Sequence, residues 1–292
     1  MSEGIGVAKY GEYLRKAIFQ SDKTESPRLV NFVRFGNWFV HVDVEAMRSV
    51  INQPLLNICY KGKYIYLVFQ DSQFNSAGQP EIKVVMGQLG IKGKWFVEPY
   101  NPGATFDAKR YTNVHFRIDL SYTPNSMKPE LMIFYKSDQN GRIDILLNKL
   151  EFERIVTYLA PGFVGLDQIS LQEWMRRWSL IDKTRCLRDV LVDQTRLCSG
   201  LGNYCITELF YQIKCHPKVK IGHFSQENVV NLYYIVKKLF EDFLSGARQK
   251  VIYKKTTSPC GNRVFHEKMF TRPMYWVPAV QIHGSPLNQL RP

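Results

Sequence analysis

The sequence has six cysteines, Cys59, Cys186, Cys198, Cys205, Cys215 and Cys260, but no CxxC pair and no framework spacing among them. That excludes a disulfide scaffold and leaves reduced, mostly buried thiols as the expectation. No uninterrupted apolar run approaches the ~18–20 residues that a membrane-spanning helix needs. The first residues carry Glu3, Lys9, Glu12 and Arg15 in place of a basic tip followed by an apolar stretch, so no signal peptide is expected and the protein is expected to be intracellular. Internal repeats and low-complexity tracts are also absent, which excludes solenoids and propellers. Acidic residues are few: 26 Asp and Glu stand against 39 Lys and Arg, giving a net charge of +13. Such a balance calls for an anionic partner, nucleic acid first and an acidic membrane surface second.

What is present is ordinary globular material: 292 residues, 45% hydrophobic and 22% charged, enough for two domains with a core in each. Val7, Tyr10, Leu14 and Ile18 recur at helical spacing. Thereafter the first half reads as β, with aromatic and β-branched segments such as LVNFVRFGNWFVHV, ICYKGKYIYLVF, EIKVVMGQLGIKGKWFV, VHFRIDL, ELMIFYK and RIDILL between Gly, Pro, Asn and Ser turns. That pattern predicts a sandwich or barrel. After about Leu150 the character changes to helical, with LEFERIVTYLA as a helix and PGFVGLDQIS as a connector. Ser170 and Glu173 stand at capping-box spacing ahead of LQEWMRRWSL. In SQENVVNLYYIVKKLFEDFL, the residues Val229, Leu232, Tyr233, Val236, Leu239, Phe240 and Phe243 form a core stripe that ends before Gly246. The end of the chain returns to β, with KVIYKK and MYWVPAVQ expected as strands flanking an exposed basic tip.

Two stretches suggest chemistry. In LVDQTRLCSGLGNYCITELFYQIKCHP, glycines at 200 and 202 precede a helix that starts near Asn203, so backbone amides face outward where the helix dipole is positive. A phosphate suits such a place. At the other end, Ser2 is small enough for Met1 to be trimmed, which would expose an α-amine of pKa roughly 7.7–8.0, nucleophilic in its neutral form.

The spacing Asp193-Gln194, eight residues, Asn203, then Glu208-Leu209-Phe210 and His216-Pro217 resembles the helix–two-turn–helix of the formamidopyrimidine-DNA glycosylase and endonuclease VIII family. A similar motif occurs in a ribosomal protein and a type of topoisomerase, so further matches decide. The start Met1-Ser2-Glu3-Gly4 resembles the family's M-P-E-G-P, and YKGKYIYL resembles its R/K-G-K-x-L strand. The resemblance implies that the amine of Ser2 attacks C1′ of a damaged nucleotide, that Glu3 is the general acid/base, and that Lys63 sits at the abasic phosphate. GQLGIKG resembles the loop that fills the space left by an everted base, with Ile91 as the wedge. Gly202 and Asn203, with neighbouring amides, are the implied phosphate contacts.

The C-terminal hairpin departs from many relatives, in which Cys and His ligands hold zinc. Ser258, Asn262, Val277 and Val280 occupy the ligand-like positions, and a lone Cys260 cannot complete a four-coordinate site. A zincless finger without metal or cofactor is therefore expected, with Arg272 of FTRPMYWVP as the fingertip arginine that clamps phosphate and supports δ-elimination. The family's usual proline at position 2 is Ser2 here, a primary in place of a secondary amine. The family's R-R-F-G segment, which faces the orphaned base, is replaced by YKSDQNG, so no Arg or Phe void filler is implied.

The resemblance thus implies an α+β multidomain protein. Its parts are an N-terminal β-sandwich catalytic domain with flanking helices (1–150), a linker (151–168), a helix–two-turn–helix domain (169–247), and a zincless β-hairpin finger with tail (248–292). The implied function is a bifunctional DNA glycosylase/AP lyase of the endonuclease VIII-like branch, acting on oxidised bases, pyrimidines above all. Its implied partner is damaged DNA, duplex or single-stranded, with no membrane, and it acts as a monomer wherever DNA is repaired: nucleus, bacterial cytoplasm or viral replication site. The rival readings are a catalytically silent DNA-binding paralogue and, with less behind it, an RNA- or ribosome-associated module.

Overall fold

A computed structural model describes residues 4–19, 26–34, 47–74, 78, 80–89, 93–100, 114–123, 126, 128–136, 142–146, 148–269 and 272–281, with backbone alone at a few strand positions, Arg272 among them. The chain is α+β and divides into two units. Gly6–Tyr158 belongs to the first, and Leu159 onward to the second, which also claims Gly4 and Ile5.

The first unit holds two four-stranded antiparallel sheets. One has the order β1 (Arg28–Arg34), β6 (Val114–Ser121), β7 (Leu131–Lys136), β5 (Lys94–Pro99). The other has the order β2 (Leu55–Lys61), β3 (Tyr64–Phe74), β4 (Pro80–Gln88), β8 (Arg142–Leu146). Alternation sets the inner faces: Ile65, Leu67 and Phe69 of β3 share one core with Phe116, Ile118 and Leu120 of β6. Into it enter Val7, Leu14 and Ile18 of helix α1 (Gly4–Ile18), with Tyr10 packed at its edge. The outer face of the second sheet is covered by α2 (Lys149–Tyr158), whose Phe152, Ile155 and Val156 meet Tyr66, Val68, Val84 and Met86.

The second unit is helical: α3 (Leu171–Ser179), α4 (Leu187–Val192), α5 (Asn203–Gln212), a 3₁₀ turn (Ile221–His223) and α6 (Gln226–Ser245). Ser170 caps α3 by accepting from the Glu173 amide at 3.1 Å, one half of the box its spacing predicts, while the Glu173 carboxylate accepts from Arg176 and Arg177. Ser225 caps α6 reciprocally with Asn228, and Gly246, at φ 79°, ends it. All seven residues of the predicted α6 stripe are buried and pack around Trp174 and Phe163.

The terminal hairpin differs from the expected one. Its strands are β9 (Phe265–Met269) and β10 (Arg272–Trp276), and residues 250–255 form no strand but a bend and a turn at 251–254. The reason is local: the amides of Ile252 and Tyr253, which a strand would spend on a ladder, donate to the Glu208 carboxylate at 3.1 and 2.9 Å. Lys254 then adopts a φ of 60°, which breaks any extended run.

Candidate nucleic-acid interface and active site

The second unit gathers residues from distant parts of the sequence around one turn. Asp193 and Gln194 leave α4, and Gln194 bridges the loop with its side-chain amide. Its Oε1 accepts from the Gly200 amide at 2.7 Å, and its Nε2 donates to the carbonyls of Val192 and Leu201 at 2.8 and 3.0 Å. Asp193 accepts from the Thr195 amide and hydroxyl and from Arg196, which fixes the start of the same loop. Burial alone would push the Asp193 carboxyl up, but those bonds from Thr195 and Arg196 outweigh it and hold it below the usual range. The stability this group contributes is therefore present above an unfolded value near ~3.9 and lost as pH falls below it.

Gly200 takes a φ of 96°, a left-handed conformation that glycine adopts without strain. Its carbonyl accepts from the Gly4 amide at 2.8 Å. The approach is close: a Cβ on Gly4 would lie 2.4 Å from Gly200 Cα and 2.6 Å from its oxygen. Beside Gly4, Ile5 is buried in the helical core. Ser2 and Glu3 lie outside the described residues.

Beyond the turn, Gly202 is the N-cap of α5 in extended conformation, a residue with no side chain of its own to cap the helix. Asn203 Nδ2 donates to the carbonyl of Pro273 in β10. Thr207, one turn on, reaches Met274 Sδ at 3.5 Å. The start of α5 is thus tied to the strand that Arg272 begins. The backbone of Arg272 pairs with Met269, and its side chain is outside the described set. His216 is buried, accepts from the Lys218 amide on Nδ1 and meets Trp276 edge-on at 4.5 Å, so the His-Pro pair is a packing element.

The remaining expected residues fall elsewhere. Lys63 belongs to the first unit and is a turn residue, not a strand residue. Gly62 and Lys63 form the two-residue loop between β2 and β3, closed by the Lys61–Tyr64 pair, with Gly62 at φ 59°. A lysine at a hairpin tip has the reach that a strand position would deny it, and Lys63 is half-buried there. Its neighbour Lys61 is structural: it is 2% exposed and its Nζ donates to the Val156 carbonyl at 2.7 Å. Ile91 lies outside the described residues, as does most of YKSDQNG after Lys136.

At the ligand-like positions of the hairpin, Val277 is buried with Ile252 and Val264, and Val280 packs against them. Gln281 spans the gap, accepting from the Val277 amide at 2.7 Å and donating to the Cys215 carbonyl at 3.0 Å. Among the described residues no three His, Cys, Asp or Glu side chains are grouped to hold a metal. The residues present do not fit zinc; apolar packing and one amide bridge stand where ligands would.

Gln194 does more than mark a spacing: a glutamine directly after a helix and before a glycine-rich turn is a side chain able to satisfy amide and carbonyl together. Gln194→Leu is expected to leave the Gly200 amide without a protein acceptor and to cost about 1–3 kcal/mol, read as a lowered Tm in calorimetry.

No protein-family model matches the chain. In sequence it is similar to the formamidopyrimidine-DNA glycosylase of Lactobacillus johnsonii, at 22% identity over 192 residues, which are 65% of this chain. The matched stretch spans 60% of that relative's length. In structure it is similar to the Lactococcus lactis Fpg in complex with DNA containing an abasic site, with a TM-score of 0.73 at 14% identity, covering 96% of this chain and 100% of that one. The same protein with DNA containing FAPY-dG gives 0.72 at 14% identity, covering 95% and 98%. A MutM complex with DNA containing carbocyclic 8-oxo-G gives 0.72 at 15% identity, covering 96% and 99%. These likenesses show a shared fold over nearly the whole chain. Among the described residues no helix is long and apolar enough to cross a membrane.

Proposed function

From a fold shared with the formamidopyrimidine-DNA glycosylases, we propose that this protein is a bifunctional DNA glycosylase/AP lyase acting on oxidised bases, pyrimidines above all. One observation carries the proposal: Gly4 donates to Gly200 while Asn203 donates to Pro273. Gly4, the Gly-Leu-Gly-Asn turn and strand β10, each part of a separate sequence match, are therefore linked by hydrogen bonds within one unit. The net charge of +13 supports an anionic partner, and residues 159–292 hold nineteen Lys and Arg against ten Asp and Glu.

In the proposed reaction, the neutral amine of Ser2 bonds to C1′ as the bond from C1′ to the base breaks and the base leaves with its electron pair. Glu3 in its acid form protonates the sugar ring oxygen, the ring opens, and loss of the amine proton leaves an imine. The imine acidifies C2′, so that proton loss there expels the 3′ phosphate. Lys63 and Arg272 stabilise the phosphates, and Arg272 assists a second elimination that expels the 5′ phosphate. Asn203 at the start of α5 would hold a backbone phosphate, since it stands at the positive end of the helix.

The test is single-turnover excision on duplexes that carry one oxidised pyrimidine or one ring-opened purine, with undamaged duplex as control. Release of the base with a nick at the lesion is the expected result. Tight binding of those duplexes without release of either base would contradict the proposal and favour the silent DNA-binding paralogue.

A further inference from the structure

The first unit holds a cleft that the proposed chemistry does not use. It has a volume of about 400 Å³ and is lined by Glu12, Arg15, Lys16 and Phe19, from the last turns of α1 and the residue after it, and by Leu56 and Asn57 of β2. Two local features shape it. Gly11 lets α1 lie directly on β2, since a Cβ there would stand 2.3 Å from the Tyr60 ring. The register between β2 and β3 then shifts between Leu55 and Asn57, and Leu56 is left 43% exposed. The cleft is separate from the residues assigned to the chemistry: Arg15 is about 17 Å along α1 from Gly4, and Leu56 and Asn57 stand at the opposite end of β2 from the Gly62-Lys63 tip.

Its lining combines three chemistries. Arg15 and Lys16 supply two exposed cations. The one carboxylate, that of Glu12, is engaged: its Oε1 accepts from the Tyr60 hydroxyl at 3.0 Å and lies 3.5 Å from Arg15. Burial pushes the Tyr60 phenol up to about 12, with the Glu12 bond adding to the effect, so Tyr60 is a neutral donor and brings no charge to the cleft. The Arg15 contact is longer than the roughly 2.7–2.9 Å of a charge-assisted hydrogen bond, so the guanidinium is loosely held and its fork of donors can turn to another anion. Phe19 and Leu56 supply apolar surface, the ring half-buried and the leucine exposed. Asn57 supplies an amide: its Oδ1 accepts from the Ile58 amide at 2.8 Å, which fixes the group through its oxygen, and Nδ2 carries two donors.

We propose that this cleft binds a nucleoside monophosphate, with the phosphate on Arg15 and Lys16, the base against Phe19 and Leu56, and the Asn57 amide on an acceptor at the base edge. Inorganic phosphate would use the cations alone, and an aromatic phosphate without a heterocycle would leave Asn57 idle. A nucleotide uses the whole lining: a guanidinium fork for phosphate, a ring and a leucine for the flat face, and a side-chain amide for the edge. The volume stands near the lower end of the ~300–1,000 Å³ of small-ligand sites, which suits one nucleotide. The proposal does not rest on the glycosylase reading.

The experiment is isothermal titration calorimetry of the full chain with the deoxynucleoside 5′-monophosphates in turn, beside inorganic phosphate and phenyl phosphate, and then in the presence of an abasic-site duplex. Binding with a Kd on the order of 10⁻⁴ M is expected for one or more nucleotides, with phenyl phosphate about ten-fold weaker for want of a hydrogen bond from Asn57. Arg15→Gln/Lys16→Gln is expected to weaken the nucleotide about ten-fold. Phe19→Leu, which keeps an apolar side chain at the edge of the core, is expected to weaken it about five-fold or more. Lys16→Gln alone changes only an exposed side chain and is expected to weaken it about three-fold, so the fold is kept in at least one variant. Absence of nucleotide binding, equal binding of nucleotide and inorganic or phenyl phosphate, or indifference to all three variants would overturn the proposal. Displacement by the duplex together with that indifference would place the nucleotide in the DNA site instead. The ligands carry no lesion, so the outcome is separate from that of the glycosylase and lyase tests.

Discussion

Glu3→Gln is expected to lower base excision from a lesion-bearing duplex by about 10²–10⁴-fold, while strand cleavage at a preformed abasic site falls by less than about ten-fold. The split follows from where the proton is needed. With the base still attached, the sugar is a closed ring, and its oxygen must be protonated as C1′ becomes bonded to the amine. A preformed abasic site already exists in part as the open aldehyde, so the amine of Ser2 can form an imine without that proton. Glutamine keeps the size and hydrogen-bonding reach of the side chain and removes only its acidity. Single-turnover rates on the two substrates, measured with one preparation, read the split directly. Equal losses on both would mean that Glu3 serves the imine or the local structure, and no loss on either would remove it from the mechanism.

Gly4→Ala is expected to lower the rate of imine formation about 10²-fold, the order of loss that a misplacement near 1 Å produces in a positioned nucleophile. The new Cβ would lie 2.4 Å from Gly200 Cα and 2.6 Å from its oxygen, and both are backbone atoms that no rotamer change can move aside. Either the terminus or the glycine turn must shift, and the bond from Gly4 to the Gly200 carbonyl lengthens or breaks. Gly6→Ala is the matched control: it lies in the same helix, and nothing stands within 4 Å of a Cβ there. That variant should keep the rate and gain slightly in stability, since alanine is the better helix former by about 1 kcal/mol. Equal trapping rates for Gly4→Ala and Gly6→Ala would show that the contact with Gly200 does not position the amine.

The sequence was most legible where a periodic pattern meets a buried face. The α6 stripe from Val229 to Phe243 and the cap at Ser170 could be read from spacing because each depends on residues within a few turns. The β character of the first half is likewise visible in its aromatic and β-branched residues, but not every turn is: ICYKGKYIYLVF reads as one β segment, and the structure breaks it at Gly62-Lys63 into β2 and β3. The first strand of the terminal hairpin, Phe-His-Glu-Lys-Met, is not legible in the sequence because it is largely exposed and carries little apolar signal. Val251, Ile252 and Tyr253 looked more strand-like, yet their backbone is organised by a carboxylate more than forty positions earlier. The bond between Gly4 and Gly200 has no local signature at all, since neither glycine's neighbours show which distant backbone it must approach. For the site as a whole, family resemblance indicated which residues matter, and geometry supplied what joins the ones it reached. Ser2, Glu3 and Ile91 rest on the resemblance, because they lie outside the described residues.

The same contrast explains the hairpin without ligands. Spacing located Val277 and Val280 as substitutes for metal ligands but gave no account of what replaces the metal's cross-link. The structure supplies that account: Val277 packs with Ile252 and Val264, and Gln281 bridges the Val277 amide to the Cys215 carbonyl. Each such contact is small beside a metal site, and together with the Asn203 bond to Pro273 they tie the hairpin to the helical unit.

The most direct measurement is borohydride trapping of the purified protein on duplex DNA with an abasic site, followed by mass spectrometry of the adduct and of the protein's first residue. Protein that has lost Met1 is expected to form a covalent adduct that maps to the amine of Ser2, and acetylation of that amine is expected to abolish it. Protein that has lost Met1, binds the duplex and yields no adduct, or an adduct on a lysine alone, would contradict the account.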